Sequence, residues 1–247
     1  MPDARTAKRW LAAAAKTLAP RLFWRRRYGI LQRLGDSRPD VQLARSLCDP
    51  NRVSVDIGAD VGEFTIAMLT ASRSVIAFEP RPAQARELAT MFAAVGAPVR
   101  LEAVALSDEP GVTAMRVLGS DPGRSTVEVP VQRLDDLKLD DVGLVKVDAE
   151  GHELAVLRGA TDTLTRNRPA ILVEAEERHH PNAVAEITKL LAGLNFTGYF
   201  PVGDERRPIA EFDAAVHQNP GNIAGADEGW TTRGVYVNNF VFLPNAR

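Results

Sequence analysis

The chain has 247 residues, 45% of them hydrophobic, with 30 basic against 32 acidic side chains and a formal net charge of -2. That suffices for one α/β domain with a sizeable core and excludes an overall field that recruits nucleic acid, so nucleic acid is not expected as a partner. The single cysteine, Cys48, excludes an internal disulfide and suits a reducing cytoplasm, and no apolar run approaches the roughly 20 residues of a membrane helix.

Residues 1–50 read as a basic helical extension, and residues 51–247 as the main domain. In the first 27 residues Arg5, Lys8, Arg9, Lys16, Arg21, Arg25, Arg26 and Arg27 stand against one acid, Asp3, with Trp10, Leu11, Leu18, Leu22, Phe23 and Trp24 interleaved. Such a segment suits a membrane surface, a clamp for an anionic acceptor, or a helix packed on the domain with its charges in water. Pro20 divides it into two short helices. Lys16 cuts the apolar run after Trp10 shorter than a signal peptide's core, so a cytoplasmic location is expected. Trp10 and Trp24, if exposed, would favour a homodimer.

From Val53 the chain alternates strand and helix, the pattern of a parallel sheet covered on both faces. Val53, Val55 and Ile57 alternate with Ser54 and Asp56 as a short strand does. Gly58, Asp60 and Gly62 then make a tight turn, and Phe64 to Leu69 reads as a helix. A second strand, Val75 to Phe78, ends in Glu79. Pro82 to Val95 reads as a helix with Ala85, Leu88, Met91, Phe92 and Val95 on one stripe, and a third strand follows near Val99 to Leu106. Extended pieces around Val112 to Leu118 and Thr126 to Val131, joined by Gly119 to Ser125, predict a hairpin at the sheet's edge. Leu144 to Asp148 is a buried strand ending in a carboxylate. Ala149-Glu-Gly151 leads into a helix bearing Leu154, Leu157 and Leu164, which Pro169 closes. Ala170 to Glu174 is a fifth core strand, Ala183 to Leu194 a helix and Phe196 to Phe200 a further strand. Residues 201–234, polar and rich in Gly and Pro, form a lid or a flexible insertion before a last strand over Val235 to Leu243, which closes the sheet as an antiparallel hairpin.

The turn after the first strand carries chemistry. Backbone amides and a positive helix terminus face a ligand there, and an acidic residue at the tip of the second strand suits a ribose diol. The pattern D-x-G-x-D-x-G of Asp56 to Gly62 lacks the third glycine of the dinucleotide fingerprint and places two carboxylates where an ammonium is welcome and a pyrophosphate is not. That favours S-adenosylmethionine over NAD. A nicotinamide-dependent oxidoreductase and a non-catalytic cofactor-binding scaffold docking through the basic arm are the competing readings.

Asp56-Ile-Gly-Ala-Asp-Val-Gly-Glu-Phe-Thr65, Ala77-Phe-Glu-Pro80, Ala103-Val-Ala-Leu-Ser-Asp108, and Lys146-Val-Asp-Ala-Glu-Gly-His-Glu153 with Leu157-Arg-Gly-Ala160 resemble the FkbM-type S-adenosylmethionine-dependent methyltransferases. The resemblance covers about Arg52 to Glu174, with Asn238-Asn-Phe240 in weaker support. It implies a Rossmann-like class I methyltransferase fold: a seven-stranded, mostly parallel sheet with an antiparallel C-terminal strand. The reaction implied is O-methyl transfer to a carbohydrate-like or polyhydroxylated natural product. By resemblance the turn with Asp56, Gly58, Asp60 and Gly62 holds the methionine part, Glu79 the ribose, and Ala105 to Asp108 the adenine. Asp60 stands where the family commonly has Asn. Asp148, Glu150 and His152 then face the acceptor as catalytic candidates, because an alcohol must lose its proton as it attacks. An alternative sets Asp148, Glu150 and Glu174 around Mg²⁺ as a Lewis acid. His179 and His180 are within reach of the same rim, and Lys146 reads as structural or snorkelling. The acceptor is expected to be a hydroxylated small molecule or glycan.

Overall fold

Three helices begin with proline at their first positions, where the missing amide hydrogen costs nothing: α1 (Pro20–Gly35), α2 (Pro39–Ser46) and, after the second strand, α4 (Pro82–Val95). The structure is a computed structural model that describes residues 16–116, 126–203, 205–222 and 234–246. The expectations placed on Arg5 to Leu11 and on the Gly119 to Ser125 turn lie outside the described residues.

The main sheet is built on β1 (Val53–Ile57), β2 (Ser74–Phe78), β3 (Val99–Glu102), β7 (Val142–Val147) and β8 (Ala170–Glu174), all parallel, with β1 paired to both β2 and β7. Beyond β8 come β11 (Asn239–Pro244), β9 (Phe196–Val202) and β10 (Glu205–Pro208), giving the order β10-β9-β11-β8-β7-β1-β2-β3. Strand β11 runs antiparallel to both β8 and β9.

Two expectations are corrected here. The sheet has eight strands because Glu205–Pro208, inside the predicted loop, folds back on β9. The last strand does not close an edge but slots between β8 and β9, pairing with both. The predicted third strand also divides, since β3 belongs to the main sheet while β4 (Ala105–Leu106) joins β6 (Thr126–Gln132) and β5 (Gly111–Arg116) in a separate sheet ordered β4-β6-β5.

The side-chain period of two sorts the core. Val55, Ile57, Val145, Val147, Ile171 and Val173 face α5 (Glu153–Arg158), α6 (Thr161–Asn167) and α7 (Ala183–Gly193). Val75, Leu144, Leu172 and Val241 face α2 and α3 (Glu63–Leu69). Helix α1 covers α3 and α4 with Trp24 and Leu31 in a cluster that includes Ile66, Leu88, Met91 and Phe92.

The helix predicted after Gly151 is two helices, broken at Gly159. An added Cβ at Gly159 would lie 2.0 Å from the Ser107 carbonyl oxygen, and the Gly159 carbonyl accepts from the Asp135 amide at 3.0 Å. The chain is pinned there by its neighbours. The C-terminal connection is also tied down where it is described: in α8 (Ala214–His217) and beyond, His217 and Gln218 are buried, and Gln218 Nε2 donates to Ala175 O and Val237 O at 2.7 and 2.8 Å.

A pair of glycine variants reads this packing. Gly159→Ala is expected to lose about 1–3 kcal/mol, because the obstacle is backbone and cannot rotate away. Gly193→Ala, whose Cβ would meet nothing within 4 Å, is expected to keep or raise stability by up to about 1 kcal/mol. Urea denaturation of both checks this, and equal midpoints would contradict the close approach.

Candidate active site

The strand order reverses between β1 and β7, and ligands in open α/β sheets bind in the crevice at such a point, outside the carboxyl ends. The two strand ends are in intimate contact. Gly58 has φ 80°, and a Cβ there would sit 1.9 Å from Asp148 O, so this turn tolerates no side chain.

Asp56 on β1 and Lys146 on β7 are paired in register. Both are buried. Thr65 Oγ1 donates to Asp56 Oδ2 at 2.5 Å, and Lys146 Nζ lies 3.4 Å from Asp56 Oδ1, an oxygen that makes no hydrogen bond and is held by charge. The ammonium donates to Gly58 O at 3.0 Å, to Ile57 O at 3.5 Å and to Asp148 Oδ2 at 3.3 Å, and lies 4.6 Å from the Phe64 ring centroid. Burial disfavours its charge, but Asp56, Asp148 and Glu174 outweigh that and hold the ammonium above its ordinary range. Asp56 is pushed up by burial against the pull of Lys146 and Thr65. Lys146 is therefore no snorkelling side chain, and Asp56, with no exposed surface, supports the turn from beneath instead of touching a ligand.

At the tip of β2 the Glu79 carboxylate is 1% exposed and has four donors: Asp60 N at 2.9 Å and Arg81 Nη2 at 3.1 Å on Oε2, and Arg81 N at 3.0 Å and Arg81 Nε at 2.7 Å on Oε1. Four bonds fill a carboxylate's lone pairs. Arg81 Nη2 also reaches Asp60 Oδ1 at 2.7 Å, and Asp60 has φ 43°, a left-handed conformation that Asn and Asp adopt most readily among residues with a Cβ.

Further along the rim Glu174 ends β8, and its Oε1 accepts from Asn238 Nδ2 at 2.7 Å. Burial, then the neighbouring Asp148 charge, pushes its carboxyl up to about 7, although Lys146 pulls the other way. Behind it the buried Glu176 accepts from Arg178 at 2.8 Å and from the Tyr236 hydroxyl, whose own titration is raised by its burial and by Glu176.

The other candidates are dispersed. His152 is exposed at the start of α5, its Nε2 2.9 Å from Ser107 Oγ, and Ser107 donates to Asp108 Oδ1 at 3.1 Å. That places His152 beside the Ala105 to Asp108 turn. Glu150 is exposed at the tip of the 149–151 turn with φ 47°; the buried Glu153 braces that turn by accepting from Ala149 N and Gly151 N. His179 packs against Gly151 and lies 3.7 Å from Glu176. Among the described residues no group of three or more His, Cys, Asp or Glu is arranged to hold a metal ion. The alternative that sets Asp148, Glu150 and Glu174 around Mg²⁺ gains no support there, and the Lys146 ammonium lies 3.3 Å from Asp148 Oδ2.

Lys146, Arg81, Glu153 and Glu176 were not among the predicted site residues. A lysine inside the apolar run of β7, and an arginine two residues past Glu79, are the signals that could have found the first two.

A methyltransferase FkbM domain model matches residues 56–199. Among solved structures, the methyltransferase FkbM of Methylobacillus flagellatus KT is 16% identical with a TM-score of 0.51; the match covers 78% of this chain and 44% of that one, so the chain spans under half that protein's length. An rRNA methylase from Streptococcus thermophilus is 14% identical over 85% of this chain and 98% of its own, TM-score 0.46. The B. subtilis m1A22 tRNA methyltransferase TrmK is 13% identical over 84% and 66%, TM-score 0.46. At these identities the first likeness is one of fold, and the other two say nothing of this chain's acceptor. The expectation that nucleic acid is no partner gains no support from them. No curated protein matches the chain significantly.

Two measurements test the charge arrangement. Lys146→Met should lose about 3–5 kcal/mol, because it strands the Asp56 carboxylate in the core, and adding Asp56→Asn should restore part of that; a loss under about 1 kcal/mol in urea would remove Lys146 as the support. The folded protein keeps the Glu174 proton between the ordinary 4.5 and about 7. Its contribution is therefore present below 4.5 and lost as pH rises through about 7. Glu174→Gln, which cannot ionise, should gain on the parent by on the order of 2 kcal/mol between pH 5 and pH 8.

Proposed function

Because this chain belongs to the FkbM methyltransferase family, we propose that it transfers a methyl group from S-adenosylmethionine to a hydroxyl of a carbohydrate-like or polyhydroxylated acceptor. The observation that carries the cofactor reading is the donor set along the rim. Glu79 stands at the tip of β2, where a carboxylate freed of Arg81 would accept from a vicinal diol, and the Gly58 to Gly62 turn is acidic in its own residues, with its Asp60 carboxylate engaging Arg81. Gly58, Asp60 and Gly62 would line the methionine part and the Ala105 to Asp108 turn the adenine. When bound, the cofactor supplies a methyl group activated on a sulfonium.

The chain's own part is alignment and proton removal. Arg81 must release Glu79 before that carboxylate can accept from a ligand, since its side chain fills two of the four acceptor positions. The acceptor hydroxyl meets Asp148 and Glu174, and Glu174 is the proposed proton acceptor, being a carboxylate that burial and the neighbouring Asp148 push up to about 7. Lys146 holds Asp148 in place and keeps the pair from repelling a second negative charge. Asn238 fixes the Glu174 carboxyl by its bond to Oε1. His152, bonded to Ser107, belongs to the wall of the adenine side.

Calorimetric titration with S-adenosylhomocysteine, with NAD as control, tests the cofactor. Glu79→Gln should weaken S-adenosylhomocysteine by about tenfold or more, a loss of at least one charge-assisted bond, while Arg81→Ala should bind at least as tightly as the parent. Binding of NAD in place of S-adenosylhomocysteine would overturn the methyltransferase reading. With an acceptor found by screening hydroxylated compounds, Glu174→Gln should reduce turnover with KM little changed, and full turnover in that variant would remove Glu174 as the base.

A further inference from the structure

Helix α1 has two faces of opposite kind. Trp24, Leu31 and Gly35 are buried against the domain. On the other side Leu18 just before the helix is 84% exposed and Leu22 69%, and Ile30 and Leu34 are exposed as well. These four make up the majority of the exposed large hydrophobic residues among the described ones; the others, Val112, Val216 and Val235, are scattered. Positions 22, 26, 30 and 34 are spaced by four and form one winding row on the helix, with Leu18 leading into it, Arg26 within it and Arg21, Arg25 and Arg33 beside it. The helix carries five arginines and no acidic residue. Among the described residues none of these five is in an ion pair, whereas Lys16 is bound to Glu87, Arg38 to Glu63 and Arg45 to Asp36.

We propose that this face of α1 docks on an anionic lipid surface, with the aliphatic side chains entering the headgroup boundary and the arginines holding phosphate and carboxylate groups. The pattern matches what such a surface offers, apolar depth under a layer of negative charge. A groove of about 490 Å³ beside it, between α1 and α4, is walled by Pro20, Trp24, Ala89 and Ala93 with Arg21 as its charged member, and suits an acyl chain under a headgroup.

Two other occupants fit less well. Single-stranded nucleic acid is held by stacking on exposed aromatic rings. Here Phe23 and Trp24 turn inward and pack edge to face at 5.1 Å, leaving aliphatic residues outside. A second copy related by a two-fold axis would set arginine against arginine with no carboxylate on the helix to answer it.

Sedimentation of the full chain with phosphatidylcholine vesicles, with and without phosphatidylserine, tests this. The chain should bind the phosphatidylserine vesicles and release with added salt. Leu18→Glu/Leu22→Glu and Arg25→Glu/Arg26→Glu should each weaken that binding by about tenfold or more. All four residues are exposed, so thermal midpoints should be unchanged, which separates lost docking from lost folding. The proposal is overturned if the chain ignores phosphatidylserine vesicles, if either double variant binds them as the parent does, if it binds an RNA oligonucleotide in their place, or if the leucine variant instead turns a dimer into a monomer.

Discussion

A buried ammonium holds the two halves of this site together. Removing a lysine head group from water is expensive unless its charge and its three donors are answered. Lys146 is answered from two strands and the turns that follow them: the Ile57 carbonyl and the Asp56 carboxylate come from β1, the Gly58 carbonyl from the residue after it, and Asp148 from the residue after β7. The register that pairs Asp56 with Lys146 makes this geometry a property of the sheet, not of a loop. Gly58 then has to approach Asp148 so closely that no other residue fits. One charge thereby sets both the glycine turn after β1 and the Asp148 carboxylate.

The same charge shapes the rim beyond β7 and β8. Asp148 and Glu174 are two acids near one another, an arrangement in which one tends to keep its proton. Without a cation nearby both burial and mutual repulsion would drive Glu174 further upward; Lys146 limits that rise to about neutrality. The adjoining wall is equally determined. Gln218 ties the chain after β8 to the segment before β11, and Asn238 and Tyr236 then reach Glu174 and Glu176. The described part of the C-terminal connection is thus scaffolding for the rim.

Much of the fold was legible because it rests on local pattern. Of the Pro82 to Val95 stripe, Ala85, Leu88, Met91 and Phe92 are buried and Val95 half-buried, and the helix ends where Gly96 adopts φ 68°. Strand β7 was legible as an apolar run. What pattern could not supply was the neighbour of each element. The place of β11 between β8 and β9 depends on a strand some forty residues away, and Glu205 to Pro208 reads as polar loop because its pairing with β9, not its own side chains, makes it a strand. The site shows the same division. Glu79 and the glycine turn were found from spacing, whereas Arg81 across Glu79, and Ser107 across His152, are contacts that only the folded chain makes. Lys146 was left between a structural and a snorkelling role because a lone lysine in a strand usually reaches water, and only the folded chain shows it buried against Phe64, Asp56 and the carbonyls of Ile57 and Gly58.

The packing beneath α1 links its exposed face to the site. Trp24 and Leu31 share one cluster with Ala59 of the glycine turn and with Leu88, Met91 and Phe92 of α4. Those same three α4 side chains are the ones a Cβ at Gly62 would meet, so they also set the second glycine of the turn. Interiors packed this closely move as units. A surface that fixed α1 would for that reason fix the orientation of the turn, and with it the crevice between β1 and β7. An acceptor carried at a lipid surface would then meet the rim from a constant direction, and alignment, the main requirement of an in-line displacement, would be supplied in part by where the protein sits.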